Sequence, residues 1–124
     1  MKFSICSAVN DNEILQSCLL SSPDLREAGE VILQRGYASA AEAYNAAIDS
    51  AKNEIVILVH QDIYLPRGWF QRVEFAINNL AATKLEWGVL GVYGITSSGA
   101  SYPTALFNPN IGDADITNLW LSGS

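Results

Sequence analysis

The histidine and aspartate of His60-Gln61-Asp62 form the pair in this sequence best suited to chemistry. An imidazole and a carboxylate separated by one residue at a turn can face the same divalent cation and leave coordination positions open for phosphate oxygens. The same spacing suits a plainer arrangement, in which Asp62 caps the following turn and His60 is a hydrogen-bonded histidine at the core edge. Asn10 and Asp11 pose a similar choice: they can bind a base or ribose, cap the helix that follows, or do both. Asn45 interrupts an alanine-rich stretch, so it either reaches a ligand or a neighbouring loop carbonyl or stands in solvent. Cys6 with His60 makes a poor nucleophile pair, because Cys6 lies within an apolar strand-like run and reads as core.

These residues need elements to position them. Phe3 to Val9 is a short apolar run of strand formers, and Asn10-Asp11-Asn12-Glu13 then supplies a cap and an acidic first turn. Ile14, Leu15, Cys18 and Leu19 follow at helical spacing until Ser21-Ser22-Pro23-Asp24. Val31-Ile32-Leu33 predicts a second strand, closed by Gln34-Arg35-Gly36. Ser39-Ala40-Ala41-Glu42 matches a capping box, and Ala40, Ala43, Ala47, Ile48 and Ala51 form a stripe of small side chains that would lie close on a sheet.

Ile55 to Val59 is uninterrupted and β-branched, as expected of a central strand covered on both faces. Leu65-Pro66-Arg67-Gly68-Trp69 opens a further helix with Pro66 in its first turn and Phe70, Val73, Ile77 and Leu80 on one side. Trp69 and Phe70 read as core rather than as stacking platforms. Trp87 to Gly94 reads as a fourth strand; beyond it, Ser97–Ser101 and Asn108–Asp115 read as loops, with one short element near Leu119-Trp120-Leu121.

Strand and helix alternate, which predicts an α/β fold with an open parallel sheet and flanking helices. In such sheets ligands bind beyond the carboxyl ends of the strands, where loops and helix starts bring free N–H groups together. Those exits carry Asn10 and Asp11, Gln34 and Arg35, His60 to Asp62, and Thr96 to Ser98.

With 124 residues, 49% of them apolar, the chain suits one domain with a single core and an irregular tail from about residue 95. Seven basic residues against 13 acidic give a net charge of −6 without any basic cluster, which disfavours nucleic acid and anionic membranes as partners. No window approaches the ~20 apolar residues of a membrane span, and the apolar start is broken by Asn10 and Asp11, so a cytoplasmic location is expected. Cys6 and Cys18 lack metal-ligand spacing and read as reduced core residues. No phosphate loop, G-x-G-x-x-G or G-x-S-x-G segment occurs.

Three segments carry a resemblance: Phe3-Ser-Ile-Cys-Ser-Ala-Val-Asn10, Ala43-Tyr-Asn45-Ala-Ala-Ile48, and Ile57-Leu-Val-His-Gln-Asp-Ile-Tyr-Leu-Pro66 with Gly68-Trp69. From about residue 3 to Gly94 the chain resembles a GT-A type family 2 glycosyltransferase. Within that family it is similar to a bacterial group in which H-Q-D replaces D-x-D. The resemblance implies the Rossmann-like nucleotide-diphospho-sugar half of the fold and a donor held with Mn²⁺ or Mg²⁺, often UDP-linked. Asp62 matches the motif's last aspartate and would be the catalytic metal ligand; His60 stands in place of the first as a second ligand, with Gln61 between them. Ala8, Val9 and Asn10 match the stretch that lines the nucleotide, and Asn45 matches an asparagine on the helix before the motif. Gln34 stands where the family often carries an acidic group for the base.

The family's acceptor half and acidic base find no match beyond Gly94, where Asp113 and Asp115 read as loop carboxylates. Two functions are therefore expected in competition: a glycosyltransferase, or a non-catalytic binding or assembly module on the same fold. An apolar flank left uncovered by a short sheet predicts a homodimer.

Overall fold

A computed structural model describes residues 1–84 and 86–91, and the backbone of residues 94–95, 101–102, 105–107 and 114–115. The chain divides into two compact units, Met1–Phe70 and Gln71–Ser124. The first is α/β. Its strands β1 (Phe3–Ala8), β2 (Gly29–Gln34) and β3 (Ile55–Leu58) form a parallel sheet in the order β2-β1-β3. Phe3 stands opposite both Gly29 and Ile55, so the strands start level and their carboxyl ends leave the sheet on one side.

The central strand is β1, not Ile55–Val59 as the β-branched run had suggested. Phe3, Ile5 and Cys6 are buried, and so are Ser4 and Ser7 between them, whereas β3 is half-exposed and Leu58 is 50% accessible. Apolar continuity marks a strand with two covered faces, but here the more polar run is the enclosed one. Short serine side chains fit where a helix approaches closely, and Ser4 is satisfied by donating to the Glu30 carboxylate and accepting from Asn53 N at 3.1 Å. β2 begins at Gly29 with φ of 154°, where a Cβ would fall 1.9 Å from the carbonyl oxygen of Phe3. Glycine is thus required for the two strands to pair there.

Helix α1 (Asn12–Ser17) is followed by a 3₁₀ turn at Leu19–Ser21 and, just after the Ser21–Asp24 punctuation, by a four-residue helix, α2 (Leu25–Ala28), that the sequence had not suggested. Leu15 and Leu19 of the expected spacing are fully buried, while Ile14 is 39% exposed. Helix α3 (Ala40–Ser50) starts where expected, the Ser39 hydroxyl accepting from Glu42 N at 3.2 Å; Glu42 does not return the bond. Its buried stripe narrows to Ala43 and Ala47, and Ile48 is largely exposed. It packs over β1 and β2, which small residues allow.

Helix α4 (Trp69–Thr83) buries Phe70, Val73, Ala76, Ile77 and Leu80, matching the expected side. It begins three residues after Pro66, whose carbonyl accepts from Trp69 N at 3.0 Å, so the proline belongs to the preceding turn. Phe70 meets the Phe3 ring at 5.9 Å and the Trp69 ring edge-on at 5.1 Å, in keeping with its core reading.

In the second unit, the expected fourth strand is β4 (Val89–Gly91), and it does not extend the parallel sheet. It pairs antiparallel with β7 (Ala105–Phe107), which pairs with β8 (Ala114–Asp115), while β5 (Gly94–Ile95) pairs antiparallel with β6 (Ser101–Tyr102). The segments read as loops therefore contain paired strands, because Gly-, Ser- and Asn-rich punctuation also connects short antiparallel strands. Thr96 to Ser98 and Leu119 to Leu121 lie outside the described residues.

Candidate functional site

The carboxyl ends of all three parallel strands open into one cleft of about 760 Å³. Pairing continues past the strand ends, with Val9 N donating to the Gln34 carbonyl at 2.8 Å and Val59 N to the Cys6 carbonyl at 3.0 Å. This fixes the floor. Ala8, Val9 and Asn10 line the cleft from β1, Gln34 from β2, and His60, Gln61 and Asp62 from the loop after β3. Of the strand-exit residues singled out in the sequence, Asp11 and Arg35 stand outside the lining, and so does Asn45, exposed on α3.

Gln61 holds the rim together. Its Oε1 accepts from Asn10 N and Asp11 N, both at 3.1 Å, and its Nε2 donates to the Asn10 side-chain oxygen. Its backbone carbonyl accepts from Leu19 N. The loop beyond is tied down too: Leu65 N donates to the Ser22 hydroxyl at 2.9 Å, and Gly68 N to Asp24 Oδ2 at 2.8 Å. Gln61 lines the cleft, but its amide is committed to this bracing. Asp11 is the α1 cap, accepting from Glu13 N and Ile14 N, and Arg35 donates to the Asn12 side chain at 3.1 Å.

His60 and Asp62 sit on the braced loop without such commitments. The Asp62 carboxylate accepts no hydrogen bond and makes no ion pair among the described residues, so the turn-capping alternative is not realised. His60 is exposed rather than at a core edge, and among the described residues its ring nitrogens make no hydrogen bond; the ring meets Tyr44 edge-on at a centroid distance of 6.5 Å. Tyr44 is itself anchored by donating to the Val59 carbonyl at 3.1 Å. Among the described residues, no group of three or more His, Cys, Asp or Glu side chains converges.

Sequence reasoning missed part of the lining: Ile14, Tyr37, Ser39 and Tyr44 also face the cleft. The available signal was Gly36-Tyr37 directly after a strand exit, where φ of 79° at Gly36 turns the chain and leaves Tyr37 44% exposed. Cys6 is not part of the site. Its thiol is pushed up by burial and, secondarily, by the Glu30 charge, which keeps it protonated.

Fold and cleft together define a small α/β unit with a ligand-sized recess at the carboxyl edge of a parallel sheet. No protein-family model, curated protein or solved structure matches the chain. Among the described residues, no helix is long and apolar enough to cross a membrane.

Proposed function

We propose that the cleft binds a nucleotide-diphosphate sugar, UDP-linked, together with Mn²⁺ or Mg²⁺ at Asp62 and His60, and that the protein is glycosyltransferase-like with a GT-A type half-fold. The observation that carries this reading is the uncommitted Asp62 carboxylate beside the uncommitted His60 imidazole, on a braced loop at the strand exits. Two donors suit a cation shared with phosphate oxygens better than one held by protein alone. A cation bound there would supply positive charge to the departing diphosphate. Asp62 and His60 would hold and orient it, while Gln61 keeps their loop against Asn10 and Asp11.

Calorimetric titration of UDP and GDP, each with and without Mn²⁺, into the wild type and Asp62→Ala tests the site. The expected result is metal-dependent binding that the variant loses; no binding under any combination would sink the reading. Mn²⁺ alone should bind weakly and tighten when nucleotide is present, since the effect of each ligand on the other is reciprocal.

One observation favours the second reading, a binding or assembly module without transfer. Asp62 is the only carboxylate among the described lining residues, so the cleft lacks an acidic partner to act as base. Sugar transfer or donor hydrolysis across a donor panel with Mn²⁺ would eliminate this reading, and nucleotide binding without turnover would establish it. The expected homodimer belongs to the same proposal, with half-exposed β3 and the exposed Ile48 and Leu58 as its apolar flank.

A further inference from the structure

We infer that the cleft accepts nucleoside diphosphates with little regard to the base, because Gln34 brings an uncommitted carboxamide, and Tyr37 an exposed aromatic residue, to the lining of the same cleft. This rests on reading the cleft as a nucleotide-diphosphate site. Gln34 ends β2, and its backbone carbonyl is fixed by Val9 N at 2.8 Å. Its side chain, half-buried on the cleft wall, makes no hydrogen bond among the described residues. The other two side-chain amides of the lining are committed, Gln61 donating to the Asn10 side-chain oxygen and accepting from Asn10 N and Asp11 N. Gln34 is therefore the amide free to turn over.

A carboxamide offers one acceptor and two donors, and half a turn about its terminal torsion exchanges their order. Every base presents a donor next to an acceptor on its pairing edge: N3–H beside O4 in uracil, N1–H beside O6 in guanine, N4–H beside N3 in cytosine, N6–H beside N1 in adenine. Gln34 can make a two-bond pair with each. A carboxylate at the same position could only accept, and would face the ring-nitrogen lone pair of cytosine or adenine. Tyr37 adds affinity without choice, since every base has a face on which a ring can stack. Its segment lies between the turn at Gly36 and the Ser39 cap of α3.

The test is titration of UDP, GDP, CDP and ADP, with Mg²⁺, into the wild type, Gln34→Glu and Tyr37→Leu. The four wild-type dissociation constants should agree within about tenfold. Gln34→Glu should weaken CDP and ADP by about tenfold or more relative to UDP and GDP. Tyr37→Leu should weaken all four by a common factor, about five- to a hundredfold. A wild-type preference of about a hundredfold for one base, or a Gln34→Glu profile unchanged in its ratios, overturns base tolerance and leaves the nucleotide reading standing. Binding of none of the four overturns both.

Discussion

Ser7 is fully enclosed in β1, yet its hydroxyl has no hydrogen-bond partner among the described residues. Burying an unsatisfied hydroxyl costs about 1–3 kcal/mol, and an alanine fills nearly the same space. Ser7→Ala should therefore raise stability by about 1 kcal/mol, read as a higher denaturant midpoint at unchanged slope. Ser4, also fully buried, is the opposite case, because it donates to Glu30, which also accepts from Lys52 N. The Ser4 hydroxyl, and after it the Lys52 backbone N–H, holds the Glu30 carboxyl below its ordinary value. A depressed carboxylate contributes stability that is complete above the unfolded value, about 4.3, and is lost as pH falls through the folded one. Glu30→Gln should flatten the stability–pH curve below about pH 4.3 and leave its slope at neutral pH unchanged, as followed by denaturant titration.

Among the elements, α3 was the most legible, because the Ser39 cap and the helix start coincide in the sequence and in space. Ser39→Ala should cost about 1 kcal/mol, measurable by thermal unfolding. The three parallel strands and their polar exits were equally readable, since strand formers end abruptly at Asn10, Gln34 and His60. Strand order was not. Hydropathy ranks Ile55–Val59 above Phe3–Val9, but position in a sheet depends on which helices cover which strand, and small serines allow closer cover than isoleucines do. The short antiparallel strands beyond Gly91 were missed for a related reason: two or three residues carry too little periodicity to stand out among turn residues. Within the site, the motif residues declared themselves, whereas Tyr37 did not, since an aromatic in a loop signals nothing until a cleft is seen beside it.

At the scale of the whole molecule, an excess of six negative charges would favour cations near the cleft and repel a bare diphosphate, so nucleotide affinity should rise with Mg²⁺ and with ionic strength up to the point of general screening. Light scattering at micromolar concentration should give the mass of a dimer; the mass of a monomer would remove the apolar-flank argument. The hydrogen bonds that Gln61 accepts from the backbone N–H groups of Asn10 and Asp11 carry a kinetic consequence as well. Two strand exits share one side chain, so the rim of the cleft is ordered before any ligand arrives, and little ordering entropy remains to be lost on binding. A ligand should therefore associate in a single phase whose rate rises linearly with its concentration, without the plateau that a slow conformational step imposes. Gln61→Ala should convert that line into a saturating curve.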